Sequence, residues 1–172
     1  MTFINICYRM KMNNATKNYI VRPIFLIFAV IWMITVFKFS NQPADTSQNT
    51  SLNLTKRIVN VFFAGKSSIE KEQITDKLDP YIRKLAHFTL YAIGGILIAN
   101  YINTYNIKDK NKIIYSIGIG ATYACTDEFH QLFVEGRSGQ LTDVLIDSLG
   151  VATGVCIFLC VITIFKKLKS KK

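Results

Sequence analysis

A chain of 172 residues, half of them hydrophobic, with a net charge of +10, suits one domain and is more apolar than an ordinary soluble one. The basic excess does not mark a nucleic-acid binder, because it is broken into short blocks beside apolar runs, without an aromatic-rich surface or a recognised motif. The expectation is an all-α, polytopic membrane protein with four transmembrane helices.

Residues 1–19 form a basic tail with Arg9, Lys11 and Lys17. The first span is expected at about 20–38, with Arg22 near its start. Long side chains at helix ends reach the interface, so Arg22 does not exclude a span. No small-x-small cleavage site follows, which favours an uncleaved anchor over a signal peptide.

An external loop, 39–81, comes next and is long enough to need structure of its own. Leu54, Ile58, Val61 and Phe62 recur at helical spacing, as do Ile74, Leu78, Tyr81, Ile82 and Leu85. Both patterns predict amphipathic helices at an interface. Ser67 and Glu70 have capping-box spacing, and Asp79-Pro80 offers an N-cap and first residue for the second span.

The second span, about 82–103, aligns Arg83, His87, Tyr91 and Gly94 near one helical stripe. A short loop with Lys108, Lys110, Lys112 and one acid, Asp109, leads to the third span, about 112–133. There Asp127, His130 and Gln131 share a face, with Glu128 at its border. Charge near the bilayer centre costs roughly 2.5–3.5 kcal/mol per residue, so such groups pair with one another or line a site. The fourth span, about 143–165, aligns Asp143, Asp147, Gly150 and Gly154. Gly150/Gly154, Gly95/Ala99 and Gly120/Ala124 have the small-residue spacing that lets membrane helices approach closely. Residues 166–172 form a second basic tail with Lys166, Lys167, Lys169, Lys171 and Lys172. Cys7, Cys125, Cys156 and Cys160 give no disulfide framework or paired metal signature.

Basic residues in short loops are held on the cytoplasmic side. The tails with Arg22 and the Lys108–Lys112 loop carry +11 and the remaining segments −1, so both termini are expected in the cytoplasm. That topology brings the polar stripes of spans two to four to one outer face.

These residues resemble the VanZ family, whose founding member is associated with low-level teicoplanin resistance in bacteria. Arg83-Lys84-x-x-His87-x-x-x-Tyr91 is similar to its second-helix motif. Asp127-Glu128-x-x-Gln131, with Gly136-Arg137 and Asp143, is similar to its third-helix, loop and fourth-helix motif. Phe39-Ser40-x-Gln42-Pro43 resembles a weaker element. The family commonly has Asn where this chain has Asp147. The resemblance implies a multi-pass protein of the bacterial cell membrane, in cell-envelope physiology or reduced susceptibility to glycopeptides such as teicoplanin.

Three uses of the polar stripes stay open. In the first, Arg83, Lys84 and Arg137 neutralise Asp127, Glu128, Asp143 and Asp147 in a purely structural network. In the second, the same cations bind an anionic lipid or a lipid-linked envelope precursor, with His87, Tyr91, Asp127, Glu128, Gln131, Asp143 and Asp147 around it. In the third, His87 or His130 acts as a general base with Asp127 or Glu128 as its partner. Noncatalytic binding is favoured narrowly over a reaction. Transport is less favoured, because the inner halves of the spans are apolar or small. His130 with Asp127, and His87 from another helix, could approximate a metal site; H-E-x-x-H is absent and the cations would repel an ion, so no metal and no cofactor is expected. The partners expected are the bilayer and an anionic lipid component, with no nucleic acid.

Overall fold

The computed structural model describes residues 14–170, with side chains described from residue 19. The expectations for Cys7, Arg9, Lys11, Lys171 and Lys172, and for the Lys17 side chain, fall outside the described residues. Five helices and no strand occur among the described residues: α1 (Asn14–Ser40), α2 (Ala44–Phe62), α3 (Ser68–Asn103), α4 (Asp109–Gln131) and α5 (Leu141–Ser170).

Helices α1, α3 and α5 are long and apolar enough to cross a membrane. Their outward residues include Ile27, Ile31, Leu145, Leu149 and Leu168, each about half exposed or more, which suits a lipid surrounding. Four spans were expected and three are clear. The exception is α4, whose 23 residues carry Asp109, Lys110 and Lys112 at one end, Asp127 and Glu128 at the other, and Ser, Thr and Gly between them.

Helix α3 departs from expectation at its start. It begins at Ser68 and runs through Pro80 for 36 residues, about 54 Å at 1.5 Å per residue. That exceeds the ~30 Å hydrocarbon core, so its polar first turns project beyond the apolar part. Asp79 does not cap a helix. It is buried and accepts hydrogen bonds from Ser51 Oγ (2.5 Å) and Thr55 Oγ1 (2.9 Å) of α2, and these bonds hold α2 against α3. They also decide which face of α2 turns inward: Thr55 and Val59 are buried, while Val61 and Phe62 stand about three-quarters exposed. The apolar stripe read from sequence is therefore largely outward.

The capping box at Ser67 and Glu70 forms as expected, with the Ser67 side chain accepting from Glu70 N and the Glu70 side chain accepting from Ser67 N. Hydrogen bonds from Lys66 first, then Ser67, hold the exposed Glu70 carboxyl down to about 2 against an ordinary 4.5. Because the folded value is depressed, the cap's contribution is complete above about pH 4.5 and is lost as pH falls toward 2. Amide exchange over residues 67–71 should accelerate in that window and stay flat above it.

The bundle is built on α3 and α5, its most extensive pairing. Small residues make it possible: a side chain at Gly95 would strike the Val151 carbonyl, one at Gly150 the Phe88 carbonyl and one at Gly154 the Ala92 carbonyl. Val151, fully buried, lies between Gly95 of α3 and Gly120 of α4. Helix α1 joins through Trp32, whose ring covers Gly94 and whose Nε1 donates to Leu90 O at 2.9 Å. At one end of the bundle, Arg22 donates to Thr104 Oγ1 and O at 3.2 and 2.9 Å and lies over the Tyr105 ring. The opposite end gathers the α1–α2 turn, the first part of α3, the end of α4 and the start of α5.

Candidate functional site

At that second end, a cavity of about 400 Å³ is lined by Arg83, Lys84 and His87 of α3, Glu128 and Gln131 of α4, Arg137 of the α4–α5 loop, and Asp143 and Asp147 of α5. Eight of the residues singled out in the sequence thus share one wall system. An adjoining cavity of about 610 Å³ shares Arg83, His87 and Arg137 with it, and adds Asp127, Val36, Phe39, Leu54, Ile82 and Leu90. One space is lined about equally by polar and apolar surface, the other largely by apolar.

Loop geometry sets the rim. Gly136 has φ +70°, a left-handed conformation that glycine adopts without steric cost, and its backbone lies close to Ala44. The turn sends Arg137 back to the α1–α2 junction, where Nε donates to Gln42 O at 3.1 Å and Nη2 to Phe39 O at 3.2 Å. Among the described residues, no ion pair within 4 Å joins Arg83, Lys84 or Arg137 to Asp127, Glu128, Asp143 or Asp147. The neutralising network, the first of the three open uses, thus has no such contact there, and Arg137 is spent on backbone carbonyls.

The acids instead sit close to each other. One carboxylate oxygen from each of Asp127, Glu128 and Asp147 lies within 4.8 Å of the others, and all three residues are buried. Glu128 is fully engaged: Gln131 Nε2 donates to Oε1 and the Gln140 backbone N–H to Oε2, each at 3.0 Å. The second bond satisfies a donor at the start of α5, where a negative charge also meets the favourable end of the helix dipole. Asp147 faces His87 Nδ1 at 3.8 Å, too long for a hydrogen bond. Both oxygens of Asp127 and of Asp147, and the Tyr91 hydroxyl, are buried without a hydrogen-bond partner.

His130 does not join this group. Its Nε2 is 3.2 Å from Asn41 Oδ1 and its ring packs on Phe37. A helix of 3.6 residues per turn puts positions 127 and 130 only loosely on one face, and the α1 contact takes the imidazole away. Tyr91 lies below the cavity, in the core with Trp32 and Tyr123. Sequence reading passed over Ser40 and Gln140 as site residues. Ser40 is buried and faces Asp127; a serine closing an apolar run beside Gln42-Pro43 was the available signal. Gln140 acts through its backbone, which no residue-type argument reveals.

A family model described as VanZ/LLP1 matches residues 25–165. Comparison with curated proteins and with solved structures gives no match.

Proposed function

The chain belongs to the VanZ/LLP1 family, and on that premise we propose a four-span protein of the bacterial cell membrane whose more polar cavity binds an anionic lipid or lipid-linked envelope component. Burial of one face of α4 between α3 and α5, through Gly120 and Ala124, supports α4 as the fourth span. Basic residues near the Arg22 end of the bundle, including Lys108, Lys112 and Lys166, support a cytoplasmic position for that end and for both termini. The cavity then opens on the outer face, where envelope lipids present their headgroups.

The observation that carries the reading is the junction of the two spaces. Arg83, His87 and Arg137 line both, so an anionic head bound in the more polar cavity would have a largely apolar cavity beside it for the attached chain. A role in reduced glycopeptide susceptibility follows if the bound component belongs to the cell-wall pathway. A reaction on the bound lipid is the second reading, favoured by His87 and Asp147 facing each other on the cavity wall.

Native mass spectrometry of the detergent-purified chain with a phosphatidate tests both. The expected result is one bound, chemically unchanged lipid per chain, weakened at least about tenfold in the Arg83→Ala/Lys84→Ala double variant at an unchanged melting temperature; tenfold corresponds to ~1.4 kcal/mol, within reach of losing charge-assisted hydrogen bonds. Retained affinity in that variant would sink the headgroup assignment. A product of altered mass would move the weight to catalysis.

A further inference from the structure

We propose that Asp127, Glu128 and Asp147 hold one divalent cation, of the oxygen-binding class of Mg²⁺, Ca²⁺ or Mn²⁺. The proposal concerns the ion alone and stands whether or not a lipid binds above it. Separations of no more than 4.8 Å among one oxygen from each residue are close to those around a single ion bound at roughly 2.0–2.6 Å. The three side chains come from two helices, α4 and α5, which approach closely where Gly120 of α4 meets Val151 of α5.

Burial makes the arrangement unusual. Asp147 is 0% exposed, Asp127 3% and Glu128 5%, and no arginine or lysine lies within ion-pair distance of any of them among the described residues. Carboxylates packed together out of water repel strongly, and each needs a compensating partner. A divalent ion supplies that partner to all three together.

Two further side chains, not acids, point the same way. Tyr91 Oη and Ser40 Oγ are both buried, both without a hydrogen-bond partner, and both face Asp127. With the oxygens of Asp127 and Asp147 they form a set of buried oxygens that make no hydrogen bond within 3.5 Å. Native interiors rarely tolerate this without a bound ion or water. Glu128 differs in being already oriented by Gln131 and Gln140, as ligating carboxylates commonly are by their outer partners. His87, facing Asp147 from α3, completes that outer layer. An oxygen-only inner set favours hard cations over zinc. The grouping also differs from the one weighed on sequence, since His130 has turned to Asn41.

Titration of the full chain in detergent with Mn²⁺, followed by loss of the free-ion electron paramagnetic resonance signal, tests the site. One saturable Mn²⁺ per chain is expected, displaced by Mg²⁺ or Ca²⁺. Asp127→Asn and Asp147→Asn should each weaken it at least tenfold, while Asp45→Asn, on the exposed start of α2, leaves it unchanged. Glu128→Gln, which keeps an acceptor for Gln140, carries the same comparison should either aspartate variant fail to fold. No saturable binding by the wild-type chain at millimolar Mn²⁺, or saturable binding that none of the three variants weakens, overturns the proposal.

Discussion

Gly154→Leu is expected to leave almost no folded, monodisperse protein, and Gly154→Ala to cost about 3 kcal/mol, at the upper end of overpacking effects. The reason is geometric. A Cβ at position 154 has no room beside the Ala92 carbonyl, and a backbone carbonyl cannot rotate away as a side-chain tip can. Helices α3 and α5 would have to separate along their whole contact, drawing Gly150 from Phe88 and Gly95 from Val151. Inside a membrane no hydrophobic term restores the lost contact, because lipid chains are as apolar as the helices. Gly118→Leu is the control: its added carbon meets nothing within 4 Å, so the variant should purify and melt like the parent. Equal melting of the Gly118 and Gly154 leucine variants would mean that the close α3–α5 approach is wrong.

Glu128→Ala should lower stability by about 2–4 kcal/mol, whereas Glu128→Gln should lose less than about half of that. Alanine removes the acceptor for both Gln131 Nε2 and the Gln140 N–H, leaving two donors unsatisfied and the start of α5 without its carboxylate. Glutamine keeps one oxygen for the Gln140 N–H, and an amide flip at Gln131 can satisfy its remaining contact. Thermal unfolding in one detergent, followed by circular dichroism, measures the difference. The same pair separates architecture from chemistry: loss of the proposed lipid binding in both variants, with only the alanine form destabilised, would assign Glu128 a functional role. Matched loss of fold and binding in the alanine form alone would leave it a structural one.

Much of this was readable along the chain, and the failures have a common form. Periodicity located α1, the apolar part of α3, and α5, because each presents apolar residues on every face over enough turns to cross a bilayer. The capping box at Ser67 and Glu70 was legible because both partners lie within one turn. Pro80 misled, since a proline preceded by aspartate fits a helix start equally well, and only the Ser51 and Thr55 hydroxyls on Asp79 make it interior. Helix α2 misled in the same way: its apolar periodicity was correctly read as helical, but a buried carboxylate on α3, not the stripe itself, chose the inner face. For the site, helical phase with the topology set Arg83, His87, Glu128, Gln131, Asp143 and Asp147 toward one end, and these line one cavity together with Lys84 and Arg137, which no helical stripe included. Whether opposite charges meet there it left open, and among the described residues no ion pair within 4 Å joins an Arg or Lys to Asp127, Glu128, Asp143 or Asp147.

What the sequence by itself determined is everything carried by spacing within one helix: the helical class, the apolar lengths, the polar stripes on α3, α4 and α5 and the small-residue faces that let helices approach. Which stripe residues touch was decided only by the tertiary structure. Contact depends on the rotation and depth of each helix against its neighbours, and those are fixed by distant close contacts such as Gly154 on Ala92 and Trp32 on Gly94. The same packing, with the left-handed turn at Gly136, takes Arg137 to the carbonyls of Phe39 and Gln42 and leaves Asp127, Glu128 and Asp147 facing one another.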